Sequence, residues 1–330
     1  MTDDAPAVKA WWATTPLSGA IGILHLEGDC DVILETLTGS SPAPGSTALS
    51  SLAAVDRGLV ARPTESSALL MPHGGPQIRR RLSEAVLEAG ATFIDPGRLD
   101  PRRAWPEAGS LVEACMLEML SRTSSPTGID LLMKQPALHA DPRNTDWRPD
   151  AFDRDRAKVL AALIDPPLVA IVGAPNVGKS SLLNRLAGHE VAITADLAGT
   201  TRDAVTSRVI LDGLACDLVD LPGERESDDP IEQHAILLAR GFLREASLVV
   251  AVVEPDHPEP PTLERTPDLV VTNKIDLSGS GKEPGISART NQGIPDFTRL
   301  VRRRLIPDEA LQGSDRPWLF HPALDDGEAG

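Results

Sequence analysis

The sequence of 330 residues contains no tyrosine, and its aromatic residues amount to only 3% of the total. We therefore expect its hydrophobic cores to consist of leucine, valine, isoleucine and alanine. The three cysteines, Cys30, Cys115 and Cys216, are scattered and show no CxxC spacing. This pattern gives neither a disulfide framework nor a zinc site. Such cysteine use is typical of a reducing compartment, so we expect a cytoplasmic protein.

Long apolar runs are also missing, since no segment approaches the roughly 18 residues needed to cross a bilayer. The first residues, Met-Thr-Asp-Asp, lack the basic start of a signal peptide, and we predict no membrane association. There is no excess of positive charge, because 48 acidic residues against 32 basic ones give a net charge of −16. This balance argues against broad, nonspecific binding to nucleic acid.

What the sequence does contain is a motif for binding phosphate. Five consecutive apolar residues, typical of a buried strand, lead into Gly173-Ala-Pro-Asn-Val-Gly-Lys-Ser180, which has GxxxxGK[ST] spacing. Backbone N–H groups at the start of the following helix make a positive cradle for phosphate oxygens, which a Cβ at Gly173 or Gly178 would block. Lys179 is expected to reach the β- and γ-phosphates, and Ser180 to ligate Mg²⁺. We predict a nucleoside triphosphate site.

Two further motifs follow predicted strands. Asp220 and Gly223 form DxxG, where the carboxylate can hold Mg²⁺ through a water and the glycine amide can meet the γ-phosphate. Residues 273–276 form NKxD. The carboxylate of Asp276 can accept paired hydrogen bonds from guanine N1–H and N2–H₂, groups that adenine lacks. We therefore predict that the protein binds GTP and hydrolyses it to GDP and phosphate.

The remaining predicted contacts surround these motifs. One threonine of Gly199-Thr-Thr-Arg-Asp203 can complete the Mg²⁺ shell when γ-phosphate is present. Asn273 steadies its loop, the stem of Lys274 covers the base, and Ser287-Ala-Arg289 suits a backbone N–H near guanine O6. The predicted nucleotide-binding residues are Gly173, Asn176, Val177, Gly178, Lys179, Ser180, Ser181, Thr200, Thr201, Asp220, Gly223, Asn273, Lys274, Asp276, Ser287 and Ala288. The predicted Mg²⁺ ligands are Ser180, Thr201 and Asp220, and Lys179 and Thr201 are also assigned to catalysis.

Apolar strands alternate with helical patterns from residue 168 onward, which is typical of a doubly wound, mostly parallel sheet with ligands at the carboxyl ends of its strands. The strands are predicted at 168–172, 204–211, 214–220, 247–253 and 269–273, and the helices at 179–187, 230–245 and 295–305. The predicted fold class is α/β, with a P-loop NTPase G-domain preceded by a small α+β domain and a reduced helical segment. The predicted boundaries are 1–104 for the α+β domain, 105–165 for the helical segment and linker, 166–307 for the G-domain and 308–330 for a disordered tail.

Three local expectations go with this organisation. Residues 1–16 are expected to be an irregular lead-in, and 139–155, which are polar and broken by proline, a linker. The helices of 105–165 cannot close a core by themselves. They must pack on the first domain, on the nucleotide domain or on a second copy of the chain.

The G-domain motifs resemble those of Era-type GTPases and, more closely, the MnmE (TrmE) family of tRNA-modification GTPases. The resemblance is carried by residues 173–188, 194–203 and 220–236. Residues 18–24, 72–76 and 97–100 are similar to the family's N-terminal folate-binding domain. The resemblance implies a homodimer formed through the N-terminal domain, a folate derivative as its ligand, and wobble-uridine modification of tRNA together with a partner enzyme.

Further site roles come from the resemblance alone. Asn176, together with backbone carbonyls of Ala195–Gly199, would bind K⁺ beside the phosphates. Glu232 would orient the attacking water once two G-domains meet. Asp229-Pro-Ile-Glu232 also fits a helix-capping pattern, so catalysis and capping both stay open for Glu232.

The sequence departs from the family in ways that leave alternatives open. The family's helical domain is split around the G-domain, and its second half would follow residue 305, where about 25 residues remain. The family's C-terminal cysteine motif is absent, since Cys216 is the last cysteine. One alternative is a shortened paralogue that acts as a GTP-dependent switch without tRNA chemistry. A weaker one is an Era-like ribosome-assembly GTPase, for which Arg299 and Arg302–Arg304 offer only a basic helical face.

Overall fold

The computed structural model describes residues 8–14, 20–95, 100–105, 108–144, 146–188, 206–221, 230–278, 284–313 and 316–325. The chain forms two compact units, 1–114 and 115–330, which are described separately below.

The first unit contains a six-stranded sheet with the order β3-β4-β5-β2-β1-β6. Its pairs are antiparallel except β1 with β6, which is parallel. The strands are β1 (Lys9–Trp12), β2 (Leu24–Glu27), β3 (Ser46–Leu52), β4 (Asp56–Thr64), β5 (Ser67–Met71) and β6 (Thr92–Phe93). The helices are α1 (Asp31–Thr38), α2 (Pro76–Glu88) and the single turn α3 (Pro101–Ala104).

Local sequence signals account for the two longer helices of this unit. Helix α1 ends at Gly39, whose left-handed backbone (φ 77°) closes it, and α2 begins with Pro76 in its first turn. Both helices and the sheet share one core, whose fully buried residues are all Leu, Val, Ile, Ala or Cys. The expected irregular lead-in is wrong for Lys9–Trp12, because β1 pairs with two strands, β2 and β6.

The second unit contains the predicted α/β sheet. Its strand order is β11-β10-β7-β9-β8, parallel throughout except for the edge strand β8. The strands are β7 (Leu168–Val172), β8 (Thr206–Leu211), β9 (Leu214–Asp220), β10 (Leu248–Val253) and β11 (Leu269–Thr272). The helices that follow strands are α7 (Lys179–Ala187), α8 (Pro230–Glu245), α9 (Ile275–Ser278) and α10 (Ile294–Leu305). Every predicted strand and helix of this region is confirmed to within two residues, and the fold class with it.

The helical segment packs on the nucleotide-domain sheet, the second of its three expected partners. It consists of α4 (Leu111–Arg122), α5 (Pro126–Ala140), α6 (Ala151–Leu160) and a 3₁₀ turn (Ala161–Leu163). At the start of α5, Thr127 N donates to Gly213 O at 3.1 Å. The hydroxyl of the buried Ser125 accepts from Ala215 N at 3.0 Å. The β8–β9 hairpin therefore satisfies a backbone N–H that would be unpaired at a free helix end.

The linker expected at 139–155 is partly wrong. Helix α5 continues to Ala140, and α6 already begins at Ala151. Asp150 and Asp153 form a reciprocal capping box at the start of α6, which a polar, proline-broken stretch conceals in the sequence.

The tail expected to be disordered also differs from the described structure. Helix α11 covers Asp308–Leu311. Beyond it, Trp318 is buried and its backbone N–H donates to Gln135 Oε1 at 2.8 Å. The carboxylate of Asp325 pairs with Arg154 of α6 at 2.8 Å. Acidic residues that suggest a solvated tail therefore pair with the helical segment, and residues 308–313 and 316–325 are ordered.

Substituting Trp318 tests this docking of the tail. Trp318→Ala removes one of the largest fully buried side chains, so we expect a loss of about 3–5 kcal/mol in the free energy of unfolding, measured by urea titration. Met133→Ala is the control, because its side chain is 57% exposed and its loss should stay within about 0.5 kcal/mol. Equal losses for the two variants would contradict the docking.

Candidate nucleotide-binding site

The glycine-rich loop connects the end of β7 to the start of α7. Gly178 is the residue before the helix and has a left-handed backbone (φ 94°, ψ 24°). A Cβ atom there would overlap the side-chain amide of Asn273, and one at Gly173 would overlap the carbonyl oxygen of Val252. Both glycines predicted from the motif therefore stand where a larger residue would not fit.

The two residues after Gly178 lie at the phosphate end of the loop. The Nζ atom of Lys179 donates to Gly173 O at 3.1 Å and to Ala174 O at 3.3 Å, so its side chain curls back over the loop. The hydroxyl of Ser180 donates to Asp220 Oδ2 at 3.0 Å. Because β7 and β9 are neighbouring parallel strands, two predicted Mg²⁺ ligands meet at their carboxyl ends. A hydroxyl and a carboxylate are hard oxygen donors of the kind Mg²⁺ requires.

Asn273, directly after β11, joins two loops of the site. Its side chain is buried, and its Nδ2 donates to Val177 O at 2.9 Å while its Oδ1 accepts from Ala288 N at 3.1 Å. The neighbouring Lys274 donates from Nζ to Asn176 O at 2.7 Å and to Glu254 at 2.9 Å. The NKxD segment is therefore attached directly to the glycine-rich loop.

Asp276 lies in the first turn of α9 with its side chain 11% exposed. Its Oδ2 accepts from Arg289 Nη2 at 2.6 Å and from Arg289 Nε at 3.0 Å. Hydrogen bonding by the Ser287 hydroxyl, and then by Arg289, holds the pKa of the Asp276 carboxyl below its ordinary value. At neutral pH this group is an ionised hydrogen-bond acceptor.

Some predicted residues lie outside the described part of the chain. These are Thr200, Thr201, Gly223 and the Ala195–Gly199 segment, and the side chain of Glu232 is also outside it, although its backbone belongs to α8. Their roles stay predictions. Ser181 is described and lines a cavity of about 380 Å³ together with Asn184, Arg185, Gly188 and Ala288.

Two contacting residues were not predicted from the sequence. Glu254 pairs with Lys274, and Arg185 of α7 donates to the carbonyl oxygens of Ala288 at 2.9 Å and Arg289 at 2.8 Å. Arg185 is more than 100 residues from these partners in the sequence, and no local pattern signals such a contact.

Comparison with known proteins agrees with this geometry. A family model described as a 50S ribosome-binding GTPase matches residues 168–275. The tRNA modification GTPase MnmE of Neisseria meningitidis serogroup C is 30% identical over 374 residues, covering 92% of this chain and 83% of the relative. The chain belongs to the MnmE family of tRNA modification GTPases. The MnmE of Acidiphilium cryptum is likewise 30% identical, over 91% of this chain and 82% of its own length.

Solved structures with similarity to this chain include Aquifex aeolicus Era bound to GDP and aluminium fluoride. That structure is 28% identical, has a TM-score of 0.33, and the match covers 42% of this chain and 56% of Era. The FeoB G-domain of Methanococcus jannaschii is 22% identical with a TM-score of 0.32, covering 42% of this chain and 98% of its own.

Family membership establishes the coarse activity. The protein is a GTP-binding enzyme that hydrolyses GTP, and the resemblance to the MnmE family is confirmed. Among the described residues, no helix is long and apolar enough to cross a membrane. The match with the Neisseria relative spans 374 positions, more than the 330 residues of this chain, so parts of the relative have no counterpart here.

Gly178→Ala tests the glycine-rich loop. The new Cβ would meet Asn273 at a backbone conformation that alanine adopts at a cost of about 1–3 kcal/mol. We expect GDP affinity, measured with a fluorescent analogue, to fall at least about tenfold. Gly241→Ala in α8 is the matched control, since open space surrounds that position and affinity should stay unchanged. A Gly178→Ala protein that binds GDP normally would refute the cradle.

Proposed function

We propose that this protein binds Mg²⁺·GTP between the glycine-rich loop and the loops after β9 and β11. The observation that supports this most is the buried amide of Asn273, which attaches the loop at Val177 to the loop at Ala288. The glycine-rich loop on one side of Asn273 offers backbone N–H groups to the phosphates. The segment on the other side carries Asp276, which is proposed to bind guanine.

The proposed roles of the phosphate-end residues follow from their chemistry. When GTP binds, the Lys179 amine gives up its hydrogen bonds to the loop carbonyls and donates to the β- and γ-phosphates instead. Its positive charge then offsets the negative charge that develops in phosphoryl transfer. Ser180 and Asp220 hold the Mg²⁺ site, with Thr201 as a further ligand. Mg²⁺ supplies charge neutralisation between the phosphates when bound.

We further propose that hydrolysis follows the family's arrangement, with K⁺ at Asn176 and attacking water oriented by Glu232. Asn176 has a positive φ of 65°, and its backbone carbonyl is held by Lys274. This contact fixes the backbone of the loop at the residue assigned to the ion.

A homodimer formed through the first unit is proposed from the exposed leucines on one face of its sheet. Leu49 and Leu59 are cross-strand partners, and Leu59 in turn pairs with Met71. Leu49 and Leu59 are 57% and 47% exposed, because the helices and core lie on the opposite face, which includes Val60. A second copy of the chain would remove this apolar row from water. A folate derivative is proposed as a ligand of the same unit, on the family resemblance alone.

The tRNA role is proposed with the chemistry assigned to a partner enzyme. The relatives are named tRNA modification GTPases, but all three cysteines of this chain are buried. Burial raises the pKa of Cys30 to about 11 and raises that of Cys216 further, so neither thiol is a nucleophile at neutral pH. The buried thiols support equally the second candidate function, a GTP-dependent switch without its own tRNA chemistry. We place either activity in the cytoplasm.

An Era-like role in ribosome assembly is not favoured. Three of the four arginines that formed the predicted basic face of α10, Arg299, Arg302 and Arg303, are paired with acidic residues. Arg302 is buried against Asp212 at 3.0 Å, and Asp308 pairs with Arg303 at 2.9 Å. This face therefore offers RNA little unpaired positive charge.

GTP turnover in K⁺ and Na⁺ tests the hydrolytic mechanism. We expect faster turnover in K⁺, and at least a tenfold loss in both Glu232→Ala and Glu232→Gln, within the range of a proton-transfer or water-orienting group. Glutamine still caps a helix, so a loss confined to Glu232→Ala would assign Glu232 to capping. Equal rates in both salts and in all proteins would refute the dimer-activated mechanism.

Analysis of wobble uridines in tRNA from a deletion strain separates the two tRNA hypotheses. The modifying GTPase predicts loss of the wobble modification, restored by the intact gene and not by a Lys179→Ala copy, which lacks the phosphate-binding amine. Full modification without the gene would support the switch and refute the tRNA role.

A further inference from the structure

Two arginines connect the helix after the glycine-rich loop to the carboxylate assigned to guanine. Arg289 places two N–H groups on a single oxygen of Asp276, Oδ2, at 2.6 and 3.0 Å. The side chain of Arg289 is 74% exposed, whereas that of Asp276 is 11% exposed. An ion pair with an exposed partner adds little to the stability of a fold. We therefore consider what this contact does for the binding of the nucleotide.

The backbone that carries Arg289 is itself held from α7. Arg185 donates from Nε to Ala288 O at 2.9 Å and from Nη2 to Arg289 O at 2.8 Å. A planar guanidinium has its N–H groups in a fixed fork, so these two bonds fix both the position and the orientation of the loop. A lysine at this position could supply one of them at a time.

We propose that Arg185 and Arg289 are positioning residues for guanine recognition. Arg185 fixes the Ala288–Arg289 backbone to the helix that begins at the phosphate cradle. Arg289 then sets the plane of the Asp276 carboxylate, so that the carboxylate keeps one orientation toward the edge of the base. This inference rests on the proposed role of Asp276.

The number of acceptor sites on Asp276 allows this arrangement. An ionised carboxylate offers about four lone-pair sites. Arg289 donates both of its hydrogen bonds to Oδ2, and the Ser287 hydroxyl is a further hydrogen-bond partner of the carboxylate. These three bonds leave about one free site on the carboxylate. A second site becomes available when guanine replaces one of the two Arg289 bonds to Oδ2, while the other Arg289 bond keeps the carboxylate from rotating.

Comparison of guanine with hypoxanthine isolates this function. Hypoxanthine lacks the N2 amino group and can make only the N1–H bond to Asp276. A carboxylate that rotates freely loses the paired geometry, which weakens GDP binding more than IDP binding. General damage to the site would weaken both nucleotides by the same factor.

The test measures GDP and IDP affinities by calorimetry, with Mg²⁺, for the full chain and its variants. We expect Arg289→Ala and Arg185→Ala to lower the GDP-to-IDP affinity ratio at least about threefold, a fraction of one charge-assisted hydrogen bond. Arg289→Lys and Arg185→Lys should restore part of the ratio. Arg299→Ala, which removes an exposed arginine paired with Asp296 at 2.8 Å, is the control and should leave the ratio unchanged.

Equal weakening of GDP and IDP in both alanine variants, or an unchanged ratio, would overturn the inference. Asp276→Asn separates this failure from failure of the proposed function. If Asp276→Asn transfers preference from GDP to XDP while the arginine variants keep their ratio, only the positioning role falls. If Asp276→Asn keeps the preference for GDP, then the assignment of Asp276 falls, and the inference with it.

Discussion

The buried side-chain amide of Asn273 is the contact on which the arrangement of the site depends. It donates to Val177 O and accepts from Ala288 N, and these residues belong to loops that follow different strands. Because Asn273 is only 2% exposed, water cannot replace either partner, and an unpaired buried amide or carbonyl would cost about 1–3 kcal/mol. The glycine at Gly178 follows from this contact, since a side chain there would displace Asn273.

A second constraint holds the β8–β9 hairpin against the helical segment. Arg208 and Asp217 face each other across the hairpin at 2.8 and 2.9 Å, with side chains 10% and 8% exposed. Arg208 also reaches the Ser124 hydroxyl at 3.4 Å. Removing one partner of such a buried pair typically costs about 3–5 kcal/mol, because the other charge stays buried. The pair therefore joins the two strands of the hairpin, and the contact of Arg208 with Ser124 joins the hairpin to the helical segment.

The parts of the fold that could be predicted are those whose residue pattern is typical of a single type of secondary structure. Strands β7 and β10 are runs of buried apolar residues, and these could be placed closely. Strands β3 and β4 were not predicted, because their apolar and polar residues do not separate onto two faces: Leu49 and Leu59 are exposed, whereas Ser50 is half-buried and Arg62 is buried. The linker prediction was partly wrong because the polar residues Asp150 and Asp153 cap a helix. The tail prediction was partly wrong because Asp325 pairs with Arg154, a residue distant in sequence.

The same division applies to the site. Spacing within motifs was enough to predict that Ser180 and Asp220 would meet, because parallel neighbouring strands bring their carboxyl ends together. The contacts of Arg185 could not be predicted, since they depend on the relative placement of α7 and the loop after β11. Sequence motifs thus identify the groups that are proposed to bind the nucleotide, whereas the residues that hold those groups in place are found only in the tertiary structure.

The described tail contacts the helical segment that precedes the G-domain in the sequence. Residues before the G-domain and residues after it pack on each other: Trp318 bonds to Gln135, Arg316 to Asp153 and Asp325 to Arg154. The β8–β9 hairpin, which links the GTTRD and DxxG motifs along the chain, is attached to this layer through Ser125 and Thr127. The turn of the hairpin, at the end opposite Asp220, is therefore held by the helical segment, so hydrogen bonds as well as packing join these two parts of the second unit.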